Sequence, residues 1–215
     1  MIKKKIVTIV GAGVIGAGWA ARMLACGLIV NAYDPSVKAR KQLLSNTKTA
    51  LKSLQRLGLN KNAKLSNLKI YSDLRESLHS TTFVQENAPE NEKLKKKLLK
   101  DIDKLLPKNI IIASSSSGLL PTRIQSLCNY PERVCIGHPF NPVYLLPLVE
   151  LVSGKQTKKN TITRAKKFYE GIGMKPLIVK KEIEGYISDR LQEALWREAL
   201  HLSLIHISEP TRHTR

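Results

Sequence analysis

Apolar and polar positions along this chain fall into blocks whose period switches between strand and helix. Residues 6–10 are a continuous apolar run of strand length. Gly11-Ala12-Gly13-Val14-Ile15-Gly16 then turns into a helix of small residues reaching about Cys26, with Gly27 at its C-cap. Residues 28–33 predict a second strand, ended by Asp34-Pro35, and Ser36 can cap a long helix to about Leu57, with Gly58-Leu59-Asn60 as its stop. Further strands are predicted over 68–71, 81–85, 109–113, 134–137, 148–152 and 176–179. Helices are predicted over 90–106, from Pro121, and over 161–171. Strands alternating with helices specify an α/β fold: a Rossmann-like, doubly wound, mostly parallel sheet covered on both faces.

A new helix starts near Tyr186. Its Ile187, Leu191, Ala194, Leu195, Ala199 and Leu202 make an apolar stripe too broad for an exposed terminal helix. The pattern therefore divides the chain into a nucleotide-binding domain over 1–184 and the first helix of an all-α C-terminal domain over 185–202, expected here as a truncated fragment. From Ser203 the pattern collapses. Residues 202–212 resemble the conceptual translation of a sequencing-library adapter, so 203–215 are expected to be an artefactual tail, with the native chain continuing beyond residue 202.

The formal charge of +19 suits a nucleic-acid binder, but the lysines are spread over most of the chain. The one dense cluster, Lys93, Lys95, Lys96, Lys97 and Lys100, lies on a predicted helix. Leu94, Leu98, Leu99, Ile102, Leu105 and Leu106 are expected to form its buried stripe, which leaves the lysines as a solvated face. No apolar run approaches the roughly 20 residues of a membrane span. Cys26, Cys128 and Cys135 show no metal spacing and cannot all pair, which favours reduced thiols in a cytoplasmic protein without a metal site.

Two motifs carry chemistry. Gly11, Gly13 and Gly16 form G-x-G-x-x-G between a strand and a helix. The first permits the turn, the second lets the backbone approach a pyrophosphate, and the third allows close helix–strand packing. Asp34 lies 18 residues beyond the last glycine, at the end of the second strand, where a carboxylate accepts hydrogen bonds from ribose hydroxyls and repels a 2′-phosphate. NAD is the expected cofactor. The second motif is His138 in Gly-His-Pro-Phe-Asn-Pro, with Glu150 twelve positions on. An imidazole oriented by a carboxylate can move a proton on and off a hydroxyl near neutral pH.

With Phe83-Val84-Gln85-Glu86-Asn87, Ala113-Ser114-Ser115-Ser116-Ser117-Gly118 and Gly185-Tyr186-Ile187-Ser188-Asp189-Arg190, these motifs fall in the order of the L-3-hydroxyacyl-CoA dehydrogenase family, which the chain resembles over about residues 4–202. Within that family the stretches 117–121, 137–150 and 193–202 look most like the branch that acts on L-carnitine. The resemblance implies His138 as general base, Glu150 as its partner, Ser117 as hydrogen-bond donor to the reacting oxygen, and Glu86 on the nicotinamide side. It further implies Asn141 as a residue fixing local geometry, and a homodimer for the whole protein. One position departs from the family: its usual Asn in the last motif is Asp189 here. A carboxylate accepts where an amide can donate, which weakens an acyl-CoA reading and suits a cationic substrate. Tyr144, Phe140 and Trp196 are candidate cation–π walls for such a group. The expected reaction is NAD-dependent oxidation of the L-carnitine 3-hydroxyl to 3-dehydrocarnitine, the partner being this small hydroxy acid rather than nucleic acid or membrane. The alternatives are oxidation of an L-3-hydroxyacyl-CoA, with Lys48, Lys52, Lys61 and Lys64 meeting CoA phosphates, or of another 3-hydroxy acid, and a non-catalytic NAD-binding relative of the crystallin type.

Overall fold

The computed structural model describes residues 5–57 and 63–205. Its elements follow in the order β1 (Ile6–Val10), α1 (Val14–Ala25), β2 (Ile29–Tyr33), α2 (Val37–Arg56), β3 (Leu68–Tyr71), α3 (Leu74–Ser77), β4 (Phe83–Glu86), α4 (Glu92–Leu105) and β5 (Ile111–Ser114). They continue with α5 (Pro121–Ile124), β6 (Val134–Pro139), β7 (Leu148–Ser153), α6 (Lys159–Gly171), β8 (Lys175–Val179) and α7 (Ser188–Leu204). The expected stop at 58–60 lies outside the described residues, as do 206–215 of the tail, while Ser203 and Leu204 continue α7.

One eight-stranded sheet runs β3-β2-β1-β4-β5-β6-β7-β8. Successive strand residues face opposite sides, so apolar runs serve two cores at once. Ile111 and Ala113 join Trp19, Leu43 and Tyr169 on one face. Ile112 joins Leu99, Ile102 and Ile124 on the other. Ser36 caps α2 as its sequence implies, accepting from the Ala39 N–H at 3.2 Å. The sheet is parallel except at one boundary, where β7 runs antiparallel to β6 and parallel to β8. That reversal matters for the site.

Helix α4 differs from its predicted pattern. Its buried positions are Lys95, Leu99, Ile102 and Asp103, whereas Leu94 is 42% exposed. The stripe is rotated because two of its charges are paired. Lys95 Nζ donates to both Glu86 oxygens at 2.8 and 3.0 Å, and Asp103 is bonded by the Arg133 guanidinium. A charge enters a core only when its partner enters with it, and a hydrophobicity pattern cannot register that. Lys95 therefore leaves the expected solvated basic face. The helix also begins later than expected. Asn91 is its N-cap, accepting from the Leu94 N–H at 2.9 Å, and Glu90 stands outside it.

Candidate active site

The turn after β1 is built for close approach. Gly11 has φ +99°, a conformation that L side chains rarely adopt, and a Cβ there would overlap the Asn87 backbone. A Cβ on Gly16 would overlap the Gly11 carbonyl, which is how α1 starts so near the strand, whereas a Cβ on Gly13 would meet open space. Gly13 is also the N-cap of α1 and offers no side chain to its first turn, which holds no acidic residue. The N–H groups and positive dipole end of the helix are thus left for an anion. Gly11, Gly13, Tyr33, Asp34, Leu94 and Leu98 line a cavity of ≈ 610 Å³, within the roughly 300–1,000 Å³ of ligand clefts. Asp34 Oδ2 accepts from the Ala12 N–H at 2.8 Å and Oδ1 from the Ser36 N–H at 2.8 Å, so the carboxylate is held at the cavity mouth. The Arg40 guanidinium donates to the Asp34 and Pro35 carbonyls at 2.6 and 3.0 Å. A dinucleotide fits these residues: glycine backbone for the pyrophosphate, Asp34 for a ribose, and apolar walls for the adenine.

His138 and Glu150 are direct cross-strand neighbours in the antiparallel β6–β7 register. Opposed side chains in such a pair lie about 5 Å apart at Cβ, and here the His138 Nδ1 meets Glu150 Oε2 at 2.9 Å. The other oxygen, Oε1, accepts from the Ile187 and Ser188 N–H groups at 3.0 Å each, at the start of α7. Burial pushes the Glu150 carboxyl up, but the bonds from His138, Ser188 and Ile187 outweigh it and hold the group below its ordinary value. Glu150 is therefore an anion that fixes the imidazole through Nδ1 and leaves Nε2 as the basic nitrogen.

Four further groups gather near this pair. The Tyr186 ring lies 5.7 Å from the His138 ring and that of Phe140 lies 5.5 Å away. The Tyr186 hydroxyl donates to the Leu119 carbonyl at 2.8 Å, tying the approach to α7 onto the Ser117 loop. In that loop the N–H groups of Ser117, Gly118 and Leu119 converge on Glu90 Oε1 at 3.2, 3.0 and 3.2 Å, and the Ser116 hydroxyl donates to the same oxygen. Burial raises the Glu90 carboxyl, yet these donors and Lys95 bring it below its usual range. Asp189, on the first turn of α7, is raised. Burial raises it first, His138 draws it down, and the carboxylates of Glu150 and Glu90 raise it again. His138, Glu150, Asp189 and the Glu90-bound Ser117 loop thus share one electrostatic neighbourhood.

The remaining sequence candidates lie elsewhere. Glu86 is fully buried, its carboxylate taken up by Lys95, the Ser114 hydroxyl and the Ala88 N–H, so it borders the cofactor cavity only through the backbone it holds. Tyr144 packs on Ala21, Ala25, Ala50 and Leu54 of α1 and α2. Asn141 is exposed, before the cis bond to Pro142. Trp196 is 62% exposed on α7, and Phe140 alone of the three aromatic candidates lies against His138. Lys48, Lys52 and Lys64 are exposed, and Lys61 lies outside the described residues. Glu90, Tyr186 and Lys95 were not legible as site residues: the first two read as helix starts, and the third as surface.

Residues 6–183 match the family described as 3-hydroxyacyl-CoA dehydrogenase, NAD binding domain. The chain belongs to this family. It is 46% identical over 198 residues to an L-carnitine dehydrogenase of Oceanobacillus iheyensis, covering 92% of this chain and 64% of that one. The chain therefore spans less than two thirds of that relative's length. Among solved structures it superposes on an NAD-dependent 5-formyl-3-hydroxy-2-methylpyridine 4-carboxylic acid 5-dehydrogenase with TM-score 0.90 and 32% identity, covering 96% of this chain and 67% of that one. It superposes on a (S)-3-hydroxybutyryl-CoA dehydrogenase of Ralstonia eutropha with TM-score 0.87 and 31% identity, covering 97% and 74%. The family's cofactor is NAD, in agreement with the cavity beside Gly13 and Asp34. No helix among the described residues is long and apolar enough to cross a membrane.

Proposed function

We propose that this chain is the NAD-binding part of an enzyme that oxidises the 3-hydroxyl of L-carnitine to 3-dehydrocarnitine. The observation that carries the chemistry is the His138–Glu150 pair at 2.9 Å, with Nδ1 engaged and Nε2 left as base. NAD bound along the glycine turn supplies the hydride acceptor. His138 Nε2 takes the hydroxyl proton as the C3–H bond breaks, and Glu150 stabilises the imidazolium that forms. The Ser117 hydroxyl holds the reacting oxygen on a loop that Glu90 keeps rigid. Asn141, exposed next to Phe140, fixes the local backbone after His138, while Tyr144 supports the α1–α2 packing. Asp189 beside Glu90 and Glu150 gives the site a negative field, which suits a quaternary ammonium group better than a CoA pyrophosphate. Gly11, Gly13, Gly16 and Asp34 hold the dinucleotide, and Glu86 sets the backbone of the cavity wall.

The substrate assignment draws its support from the L-carnitine dehydrogenase relatives, at 46% identity for that of O. iheyensis. The apolar face of α7, with Leu191 and Leu195 at 66% and 73% exposure, supports a helical region that completes the cleft and pairs two copies as a homodimer. Residues 203–215 stand outside this functional assignment. Three cysteines without disulfide partners favour the cytoplasm as its compartment.

The test is NADH formation from NAD with L-carnitine, and in parallel with L-3-hydroxybutyryl-CoA, using this chain and this chain extended by the C-terminal third of the O. iheyensis relative. Turnover of carnitine alone supports the assignment. Turnover of the CoA ester alone overturns the substrate and keeps the dehydrogenase. NAD binding without either turnover assigns the chain to a non-catalytic or different hydroxy-acid role.

A further inference from the structure

Gln85 stands in β4 with no exposed surface, after apolar Phe83 and Val84. A buried primary amide costs stability unless its donors and acceptor are met. Here each is met. Its Oε1 accepts from the Tyr169 hydroxyl at 2.5 Å, and its Nε2 donates to Ser115 Oγ at 2.8 Å and to the Gly137 carbonyl at 3.2 Å. Tyr169 is fully buried on α6, and burial drives its hydroxyl far above the ordinary tyrosine value, so it stays a donor. That donor fixes which end of the amide faces Gly137. Gly137 in turn leaves room for the hydroxyl, because a Cβ at that position would overlap it.

The Gly137 carbonyl belongs to the peptide bond that leads into His138. The other branch runs to the cofactor. Ser115 Oγ receives the Trp19 indole N–H at 3.1 Å and donates to Asn87 Oδ1 at 2.7 Å. Asn87 Nδ2 returns to the Gln85 carbonyl at 2.9 Å, and Asn87 forms part of the cavity wall under Gly11. Strand β5 lies between β4 and β6 but ends at Ser114, whose register partners are Glu86 and Ile136. Beyond that point the Ser115 N–H still reaches the Glu86 carbonyl at 2.8 Å, but the β5–β6 register has ended. The Gln85 side chain spans the gap.

We propose that Gln85, oriented by Tyr169, is a positioning residue that ties the His138 backbone to the Asn87 wall of the NAD cavity. It keeps base and cofactor cradle in one register, and it deepens the reading of His138 as the base, on which it rests. An apolar residue of the same length fills the space but transmits no register.

The test is Gln85→Met, with Tyr169→Phe as the milder variant that keeps the aromatic packing. Three readings are taken on this chain: the His138 imidazole resonances by heteronuclear NMR with His79 as internal reference, the NAD dissociation constant from Trp19 fluorescence, and the thermal midpoint. The expected result is a displaced set of His138 resonances with His79 unmoved, and a NAD dissociation constant raised at least threefold, in both variants and more in Gln85→Met. In an extended chain that oxidises carnitine, kcat falls about tenfold while KM for carnitine stays within twofold. Unchanged His138 resonances and NAD affinity in a folded variant overturn the proposal. So does displacement of His79 and His138 alike, which would reduce Gln85 to core packing. If Gln85→Met does not fold, Tyr169→Phe decides by the same criteria. The first two readings need no turnover, so a failed carnitine assay would sink the substrate assignment and leave this one standing on its own result.

Discussion

Replacing Lys95 by Met tests whether a buried charge in α4 is structural, against the appearance of its sequence neighbours. Lys95 is 1% exposed, and its three N–H donors go to Glu86 Oε1 at 2.8 Å, Glu86 Oε2 at 3.0 Å and the Ala88 carbonyl at 2.9 Å. Methionine preserves most of the stem and removes all three bonds, leaving the Glu86 carboxylate fully buried with only Ser114 and the Ala88 N–H as donors. Breaking one side of such a pair costs about 3–5 kcal/mol, a large share of the roughly 5–15 kcal/mol that holds a domain together. With a guanidinium slope of about 4 kcal/mol/M, the unfolding midpoint should fall by about 1 M. Lys96→Met, one residue away, removes a part-exposed i,i+4 bridge to Glu92 and should cost no more than about 0.5 kcal/mol. Adding Glu86→Gln to Lys95→Met should recover part of the loss, because a neutral amide is cheaper to bury than an unpaired carboxylate. Guanidinium unfolding followed by circular dichroism measures all four proteins. A loss below about 1 kcal/mol for Lys95→Met, or no difference from Lys96→Met, would refute the reasoning and place water or a proton on Glu86.

Three other outcomes follow from the site. Asp34→Ala should weaken NAD binding about tenfold or more and narrow the preference over NADP, because it removes the carboxylate facing the ribose while Arg40 remains; titration calorimetry with both cofactors reads this. Glu150→Gln should lower turnover in an active extended chain by at least 100-fold, through the lost imidazolium partner and tautomer control, with NAD affinity within about threefold in a fluorescence titration. Both Glu150 and Glu90 lie below the carboxylate value of 4.5, so the stability they add is complete above that pH and is lost as pH falls through their lowered folded values. Glu150→Gln should accordingly flatten the fall in thermal midpoint between pH 4.5 and 3, and an unaltered slope would contradict the assignment.

Much of the architecture follows from local rules. The glycine turn, the Ser36 cap and the strand–helix alternation are set by backbone conformation, capping and periodicity over a few residues, and each appears where the chain implies it. Asp34 and the His138–Glu150 pair were legible because their residue types are informative at those spacings. Their geometry was not. Nothing local reveals that β7 reverses direction, yet that reversal makes His138 and Glu150 direct neighbours across a ladder.

The misreadings share one cause. Lys95 reads as surface, and Glu90 as the first turn of a helix, because charge and propensity are properties of single residues. Burial of a charge is a property of pairs that meet only after folding. Lys95 meets Glu86 across nine residues, Asp103 meets Arg133 across thirty, and Glu90 meets the Ser117 loop across twenty-seven. Gln85 and Tyr169 are separated by 84 residues and look unremarkable until the sheet closes. The sequence by itself determined the class of fold, the glycine turn and the residue types of the His138–Glu150 pair, since these depend on short-range sterics and on the chemistry of a few side chains. Only the tertiary structure decided which polar groups lie inside, which donors hold them, and how the His138 strand is bonded to the wall beside the glycine turn, because hydrogen bonds and ion pairs in a low-dielectric core exist only where distant segments are brought together.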